Sequence, residues 1–160
     1  MIDAIIFRRA RPEDMDGVRL AHSAAIRSAA GEHYSPEVLD VWVDAFNAGN
    51  FPKNIKRMDF FVAELSDGRI AGFMAVDLET REVDSIYVAP WGTGLGLGSY
   101  LLGYAEELAR QAGVEELWLD ASLNAVSFYA RYGWEEIGRH ARVRKGVEIP
   151  VMRMEKRLRP

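Results

Sequence analysis

The sequence predicts an α/β fold in which a mixed, mostly antiparallel sheet of about seven strands is flanked by helices. Three observations support this prediction. Apolar residues recur at helical spacing in some segments and form strand-length runs in others. Turn signals separate three consecutive strand-like segments, which favours antiparallel pairing. Strands and helices do not alternate regularly, so a repeated βαβ arrangement is not expected.

One strand and two helices are predicted at the start of the chain. Residues 5–8 form a short apolar run that is consistent with a strand. Pro12 then begins a segment whose apolar residues recur at helical spacing until Gly31. A second helix is predicted to begin at Ser35-Pro36, where a capping hydroxyl precedes a first-turn proline, and to end at Gly49.

Three antiparallel strands are predicted to follow. Residues 60–65 and 70–78 are apolar runs joined by a polar turn, whose Asp67-Gly68 pair favours a tight hairpin. Residues 83–89 predict the third of these strands, which Pro90 ends because proline cannot donate to a sheet ladder. This strand therefore stops directly before a glycine-rich segment.

The rest of the chain is predicted to contain two helices and three strands. An amphipathic helix covers residues 97–112, and a shorter helix covers residues 124–132. Residues 117–121 predict a strand between these helices. Residues 134–144 and 147–156 predict a closing hairpin.

Composition fits one domain, predicted to span residues 1–160. Apolar residues make up 49% and charged residues 28%, and the formal net charge is −4, so a surface for nucleic acid is not expected. The absence of cysteine excludes disulfides, cysteine zinc sites and a cysteine nucleophile, and it fits a cytoplasmic location. No apolar run reaches the ~20 residues that span a bilayer, and the N-terminus lacks a signal-peptide pattern, so no membrane partner is expected. The histidines lack metal-ligand spacing, so no metal is expected.

Residues 92–98 form a glycine-rich segment between a predicted strand and an amphipathic helix. Because glycine has no Cβ, successive main-chain N–H groups in such a segment can turn toward one point and approach a ligand closely. The helix that follows adds unpaired N–H groups and a positive dipole end. This combination is typical of a site for phosphate or pyrophosphate.

Two other phosphate-binding motifs do not fit this segment. A P-loop requires lysine after its last glycine, and the segment contains none. A dinucleotide fingerprint requires Gly-x-Gly-x-x-Gly after the first strand of a βαβ unit, whereas these glycines alternate and three predicted strands precede them. A flexible loop without a ligand is the structural alternative, and the helix directly after the glycines argues against it.

Around this segment the sequence contains Tyr87-Val88-Ala89-Pro90, then Thr93-Gly94-Leu95-Gly96-Leu97-Gly98, then Leu101-Leu102. This pattern resembles the acyl-CoA signature of the GNAT superfamily of N-acetyltransferases. The resemblance implies a GNAT-like acyl-CoA N-acyltransferase fold with acetyl-CoA as the acyl donor. It implies that residues 95–99 hold the coenzyme A pyrophosphate through main-chain N–H groups and that residues 86–88 pair with the pantetheine amides. The residues so implicated are Ile86, Tyr87, Val88, Thr93, Gly94, Leu95, Gly96, Leu97, Gly98 and Ser99.

Thr93 departs from the family's pattern, which usually has glutamine or arginine at this position. A cation or a long amide is therefore missing from the rim of the implied site. We expect main-chain donors to carry most of the binding, with weaker cofactor affinity or compensation from elsewhere.

A second segment, from Ser122 to Trp134, contains an asparagine turn and then Phe-Tyr-x-x-x-Gly-Trp. It resembles the family's second signature, with tryptophan in place of the usual phenylalanine. The resemblance extends from about residue 60 to the end of the chain. It implies cofactor contacts for Asn124, Phe128 and Tyr129. Asn124 is also a candidate helix cap.

Tyr129 is the predicted general acid, because the resemblance implies a position beside the coenzyme A sulfur. A departing thiolate needs a proton or a hydrogen bond, and a tyrosine hydroxyl with a pKa of about 10 donates one at neutral pH. Packing within its helix is the alternative role.

Direct attack of an amine on the thioester is expected, since the sequence contains neither cysteine nor a nucleophile elbow. The strand before the glycine-rich segment supplies candidates for the base. Glu82, Asp84, Ile86 and Val88 are expected to share one face of that strand. Asp84 is the first choice, because desolvation among apolar neighbours would raise its pKa, and Glu82 is the second. A salt bridge or a polar strand end is the alternative role for Asp84. The resemblance suggests that a main-chain N–H near Val88 stabilises the oxyanion.

The acceptor is expected to be a primary amine of a small molecule or a peptide. In the superfamily, the first two helices and the last hairpin usually shape its pocket. The residues so indicated are His22, Arg27, His33, Tyr34, Trp42, Phe46 and His140. The His33-Tyr34 pair lies in a predicted loop and is preferred for the pocket. Trp42 and Phe46 fit equally well as core residues.

Two other function classes stay open at this point. A non-catalytic acyl-CoA-binding regulatory protein would retain the glycine-rich site without turnover. A nucleotide-phosphate-binding module would bind ATP or NAD at least as tightly as acetyl-CoA. The resemblance also suggests a homodimer, for which the closing hairpin is a candidate interface.

Overall fold

The structure, a computed structural model, describes residues 4–159, so the first three residues of the N-terminal segment considered above lie outside it. Within the described part, seven strands and five α-helices follow one another along the chain. In order they are β1 (Ile6–Arg9), α1 (Met15–Ala29), α2 (Pro36–Asn47), α3 (Phe51–Arg57), β2 (Asp59–Glu64), β3 (Ile70–Asp77), β4 (Glu82–Val88), α4 (Leu97–Gln111), β5 (Glu116–Ser122), α5 (Val126–Arg131), β6 (Glu135–Arg144) and β7 (Val147–Arg157).

The seven strands form one sheet in the order β1-β2-β3-β4-β5-β7-β6. Neighbouring strands pair in antiparallel fashion except β4 and β5, which are parallel. The predicted fold class, a mixed and mostly antiparallel sheet with flanking helices, is confirmed.

Helix α3 is the element that the sequence pattern did not reveal. Its N-cap is Asn50, whose side-chain oxygen accepts a hydrogen bond from the Lys53 N–H at 3.2 Å, and Pro52 lies in its first turn. A capping asparagine before a first-turn proline is a start signal that this segment does contain. At 7 residues the helix is too short to show a clear apolar period.

The two faces of the sheet are covered by different helices. On one face, Met74 and Val76 of β3 pack against Leu101 of α4, in a cluster that also includes Tyr129 of α5. On the opposite face, Phe73 of β3 belongs to a cluster that includes residues of α1 and α3. The sheet therefore separates an α4 face from an α1 face, and a side chain on β4 reaches one or the other.

Strand β4 contains an irregularity at Asp84. Ala75 of β3 pairs with Ser85, and the next residue, Val76, pairs with Val83. Asp84 is therefore an extra residue on β4 without a partner on β3. Such a β-bulge reverses the alternation of side chains on its far side.

The bulge separates residues that were expected to share one face of β4. Ile86 and Val88 pack against the α4 face. Glu82 lies on the α1 face, where Tyr87 also packs. The prediction that Glu82, Asp84, Ile86 and Val88 share one face is wrong, because the period of two holds only for a regular strand.

Strands β4 and β5 diverge soon after they meet. Within the described residues, their register consists of Glu82 opposite Trp118, next to a hydrogen bond of 3.0 Å from the Trp118 N–H to the Arg81 carbonyl. Beyond this point the edge of β4 that faces β5 has no strand partner. The divergence opens a gap in the middle of the sheet and leaves main-chain groups of β4 available to an extended ligand.

Candidate active site

A cavity of about 150 Å³, here called the gap cavity, lies where β4 and β5 diverge. Its walls come from both strands, from α1 and from the turn between β5 and α5. The lining residues include Asp84, Ser85, Ile86, Tyr87 and Val88 of β4, Ser122 at the end of β5, Asn124 of the turn and Tyr129 of α5.

A second cavity of about 310 Å³, here called the charged cavity, opens on the α1 face. It is lined by three arginines, three carboxylates and several aromatic rings. Its charged residues are Arg19, Arg142, Arg144, Glu82, Asp84 and Asp120. Trp42, Ser85 and Tyr87 line both cavities, as do Asp84 and Asp120, so the two spaces meet at the bulge of β4.

The segment before α4 presents a row of free main-chain donors. Gly94 and Gly96 adopt left-handed conformations, with φ of +81° and +72°. Among the residues that the structure describes, no main-chain carbonyl accepts a hydrogen bond from the N–H groups of residues 94–99. A Cβ built on Gly94 or Gly96 would meet no atom within 4 Å, so the space beside the row is open. These donors stand at the N-terminus of a 15-residue helix, where an anion is favoured.

Two side chains of this segment make local contacts. The Thr93 hydroxyl donates to the Pro90 carbonyl at 2.7 Å, and the Ser99 hydroxyl donates to the Gly96 carbonyl at 3.1 Å. Both bonds brace the turn. Leu95 is exposed.

Three other residues that the resemblance assigned to the cofactor take part in packing, namely Leu97, Gly98 and Phe128. The Leu97 side chain is buried beside β2 and β3. Gly98 lies against Phe128, since a Cβ at Gly98 would come within 3.2 Å of that ring. Glycine at position 98 thus allows α4 to approach α5 closely. Residues 97 and 98 can contact a ligand at the helix terminus only through their main-chain N–H groups.

Asn124 places an unsatisfied acceptor in the wall of the gap cavity. Its side-chain oxygen is buried and has no hydrogen-bond partner among the described residues. The residue does not cap a helix, because no side-chain capping bond is present at the short 3-10 turn Leu123–Ala125 or at α5. A buried amide oxygen without a partner is costly, so this atom is available to a ligand that donates.

Tyr129 lies in the same wall and is almost fully buried. Its ring packs edge-on against Trp134 with centroids 6.0 Å apart, so the residue also belongs to the core. Burial raises the pKa of Tyr129, and burial likewise raises the pKa of Tyr87, to which the proximity of Tyr129 adds. The Tyr129 hydroxyl therefore stays protonated at neutral pH and acts as a hydrogen-bond donor.

The two carboxylates at the start of β4 differ in environment. Burial raises the pKa of Glu82, nearby Asp84 raises it further, and Arg142 opposes both from a hydrogen bond of 3.2 Å. Asp84 is exposed at the bulge and accepts a hydrogen bond of 2.8 Å from the Ser85 hydroxyl. Burial was expected at Asp84 but is found at Glu82, because the bulge turns the Asp84 side chain toward solvent.

Asp120 is a charged residue of this site that the sequence did not reveal. Its buried carboxylate accepts hydrogen bonds from Arg142 and Arg153, each at 2.8 Å, and lies 2.7 Å from the His140 ring. Burial acts to raise the pKa of Asp120, but the bonds from Arg153, His140 and Arg142 outweigh it and hold the pKa at about 2. An aspartate inside the apolar run of residues 117–121 was the available signal.

Arg142 connects the two diverging strands. Its guanidinium contacts Asp120 on β5 at 2.7 Å and Glu82 on β4 at 3.2 Å. Both carboxylates line the charged cavity. The arginine therefore links β4 and β5 on the α1 face of the gap.

The residues indicated for an acceptor pocket fall into two groups. Trp42 and Phe46 line the charged cavity. The other five line neither cavity. Arg27 pairs with Asp40 at 2.9 Å, His33 is exposed, and His140 is held by Asp120.

Tyr34 and His22 are buried instead of lining a pocket. The Tyr34 hydroxyl donates to the Pro150 carbonyl at 2.5 Å and accepts from the Leu123 N–H at 2.9 Å, so it joins β7 to the turn that carries Asn124. His22 stacks on Phe46 with ring centroids 3.7 Å apart, and neither ring nitrogen has a partner. Burial lowers the pKa of His22 to about 3, so the ring is neutral. The His33-Tyr34 pair, preferred for the pocket from the sequence, lines neither of the two cavities described above.

Two features are absent from residues 4–159. No group of three or more histidine, cysteine, aspartate or glutamate side chains is arranged to hold a metal ion there. None of the helices in that range is long and apolar enough to cross a membrane.

Comparisons with known proteins agree with this arrangement. Residues 30–157 match the family described as Acetyltransferase (GNAT) domain. A streptothricin acetyltransferase from Streptomyces lavendulae is 35% identical over 85 residues, which cover 49% of this chain and 45% of that protein. An uncharacterised N-acetyltransferase from Methanocaldococcus jannaschii is 29% identical over 150 residues, which cover 85% of this chain and 63% of that protein. The chain thus spans less than two thirds of either relative.

Solved structures give the same result for the fold. A GCN5-related N-acetyltransferase from Rhodopseudomonas palustris superposes with a TM-score of 0.89 at 27% identity, covering 99% of both chains. A PaiA N-acetyltransferase from Thermoplasma acidophilum, crystallised with coenzyme A, superposes with a TM-score of 0.79 at 22% identity, covering 96% of this chain and 99% of that one.

Proposed function

The chain belongs to the GNAT family of acetyltransferases, and on that premise we propose that it transfers an acetyl group from acetyl-CoA directly to a primary amine. Membership confirms the resemblance and the enzyme class predicted from the sequence. The observation that carries the more specific proposal is the row of free N–H groups at residues 94–99, which stands at the N-terminus of α4.

Acetyl-CoA fits the residues that line the gap. When bound, it supplies a thioester as the acyl donor. The N–H groups of residues 94–99 hold its pyrophosphate, because they are unpaired and unobstructed. The free edge of β4 at residues 86–88 binds the pantetheine arm as an added strand, and the orphaned Asn124 oxygen accepts from an amide N–H of that arm.

Glu82 is the proposed base in this scheme, in place of Asp84. An alkylammonium has a pKa of about 10, so most of the acceptor arrives protonated at neutral pH. Asp84, which is exposed and forms no ion pair within residues 4–159, attracts the ammonium group. Glu82, whose pKa burial raises, accepts the proton directly or through water.

Tyr129 supplies a hydrogen bond to the sulfur of the leaving group. An ordinary tyrosine pKa of about 10 already lies above that of a thiol, about 8.5, and burial raises the pKa of Tyr129 further, so complete proton transfer from tyrosine to thiolate is uphill. The hydroxyl therefore keeps its proton and stabilises the developing thiolate as a hydrogen-bond donor, and the thiolate is protonated by solvent or by the proton that Glu82 removes from the amine. This role is narrower than the general acid that the sequence predicted.

Several further expectations stay proposals. We place the enzyme in the cytoplasm, as one catalytic domain over residues 1–160 that acts without metal and without nucleic acid. A homodimer through the β6–β7 hairpin is the proposed assembly. The acceptor at this level is a small molecule or a peptide.

Thermal unfolding with added ligands, followed by thiol release, tests this function. We expect acetyl-CoA to raise the melting temperature more than ATP or NAD, and free thiol to appear when a panel of primary amines is added. Equal stabilisation by ATP or NAD would support a nucleotide-binding module instead. Strong stabilisation by acetyl-CoA with no thiol release for any amine would support a regulatory protein.

A further inference from the structure

The charged cavity contains charges of both signs that have no internal counter-ion. Arg142 and Asp120 neutralise each other, and Arg142 also pairs with Glu82. Arg19 and Arg144 have no carboxylate within 4.0 Å among residues 4–159.

Within residues 4–159, the hydrogen bonds of these two arginines go to main-chain oxygens. Arg19 reaches the Gly49 carbonyl at 3.5 Å, and Arg144 donates to the carbonyl of Val143 at 2.9 Å. A guanidinium offers five donors in a planar fork, so most of the donors of each group are free for a carboxylate or a phosphonate. The charged cavity therefore offers anion-binding groups together with the carboxylates of Asp84 and Glu82.

Apolar side chains form much of the remaining wall. Trp42, Phe46 and Phe51 come from α2 and α3, Tyr87 comes from β4, and Ile149 comes from β7. A cavity of about 310 Å³ is suited to a molecule the size of one amino acid, since small-molecule sites begin at roughly 300 Å³.

We propose that the acceptor is a small ampholyte with an apolar body, namely an amino acid or aminophosphonate with a bulky hydrophobic side chain. This inference rests on the proposed acetyl transfer and adds the class of acceptor. Asp84 and Glu82 bind its amine near the gap, Arg19 and Arg144 bind its acidic group, and the aromatic wall holds its side chain. An amine without an acidic group leaves both guanidinium groups unpaired.

Thiol release with matched acceptors tests this assignment. Leucine, methionine, phenylalanine and tryptophan are each compared with their carboxamide and with the amine that lacks the carboxyl group. The phosphonic acid analogues of leucine and phenylalanine separate the two anion types.

The carboxamide also stands for a peptide N-terminus, whose α-amine has a pKa of about 8 and is therefore more often neutral. We expect kcat/KM for the best free acid or phosphonate to exceed that of its carboxamide by at least about tenfold, despite this advantage of the carboxamide.

Arginine variants provide the second measurement. We expect Arg19→Gln and Arg144→Gln to reduce the ratio of kcat/KM between acid and carboxamide by about fivefold or more, chiefly through KM. Arg27→Gln is the matched control, because Arg27 pairs with Asp40 and lines neither cavity. This control should leave the ratio unchanged.

The outcomes separate the two proposals. Turnover of carboxamides or simple amines at or above the rate of the acids overturns the ampholyte assignment and leaves acetyl transfer in place. A preference for acids that survives both arginine variants also overturns it. Absence of thiol release with every amine overturns the proposed function itself.

Discussion

The loop before α4 and the charged cavity on the α1 face present different kinds of chemical group, main-chain donors in one and side chains in the other. The loop presents main-chain N–H groups of one continuous segment, residues 94–99, while the Ser99 hydroxyl braces the turn and the Leu97 side chain packs against the sheet. The cavity uses side chains from α1, α2, α3 and five strands. A main-chain site recognises a constant group, such as a pyrophosphate, whereas a side-chain site can change its partner by substitution. We infer that the fold fixes the acyl donor and leaves the acceptor to the cavity.

The largest expected effect comes from obstructing the main-chain site. Gly96→Leu should weaken acetyl-CoA binding by about a thousandfold, since charge-assisted hydrogen bonds to the pyrophosphate are worth about 1.5–3 kcal/mol each. Isothermal titration calorimetry measures this change.

Gly113→Leu is the control for backbone strain. Gly113 has a φ of +78°, close to the +72° of Gly96, and a Cβ there also meets no atom within 4 Å. Both variants should lose roughly 1–2 kcal/mol of stability, but only Gly96→Leu should lose affinity. Equal affinities in the two variants would show that the cradle lies elsewhere.

The next effect concerns the acceptor side. Glu82→Gln should lower kcat by about a hundredfold through loss of the base, with acetyl-CoA affinity unchanged. Because burial raises the pKa of Glu82, wild-type kcat should fall as the pH decreases through that raised value, and the variant should lack this acidic limb. Steady-state kinetics across pH provide both readouts.

Asp84→Asn is the companion variant. It should raise KM for the amine by about tenfold and leave the acidic limb of kcat in place. If Asp84→Asn abolishes that limb and Glu82→Gln retains it, the base assignments must be exchanged.

A smaller effect concerns the buried histidine that supports the aromatic wall. The pKa of His22 is about 3 in the folded state and about 6.5 in the unfolded chain, so only the unfolded chain binds a proton between these values. The stabilisation that the neutral His22 ring contributes is therefore fully present above about pH 6.5. The free energy of unfolding should fall by about 2 kcal/mol between pH 7.5 and pH 5 because of this group. His22→Phe should remove that loss, as measured by urea unfolding at both pH values.

His33→Phe is the control, because His33 is exposed. Its pH dependence should equal that of the wild type. An unchanged pH dependence in His22→Phe would mean that the His22 ring is solvated or protonated in the native state.

The smallest effect is expected at Thr93. Its hydroxyl bonds to the Pro90 carbonyl and braces the turn, so Thr93→Ala should weaken acetyl-CoA binding by about threefold or less. Calorimetry on this variant sharpens the comparison, since a loss as large as that of Gly96→Leu would assign the binding to a side chain.

The same contrast explains how much of the site the sequence could predict. The alternating glycines are a local pattern, so the loop could be predicted from the residues themselves, whereas the roles of Asn124 and Tyr129 were implied by the resemblance to the family's second signature. Asp120 and Arg142 come into contact because β5 and β6 both lie next to β7 in the sheet. No local sequence pattern reveals this strand order.

Local rules also failed where the backbone is irregular. The bulge at Asp84 reverses the alternation of side chains along β4, so Glu82 is the more buried of the two carboxylates. The period of two assumes a regular strand, and nothing in the residues 82–88 marks the extra one. Helix α3 was missed because a helix of 7 residues is too short to show a clear apolar period.

Assigned amide resonances test the central claim most directly. We compare acetyl-CoA with S-acetylpantetheine, which lacks the pyrophosphate, in nuclear magnetic resonance titrations of the labelled protein. Acetyl-CoA should shift the main-chain amide signals of residues 94–99, whereas S-acetylpantetheine should shift those of residues 86–88 and leave residues 94–99 in place. Unchanged signals at residues 94–99 on saturation with acetyl-CoA would contradict the account.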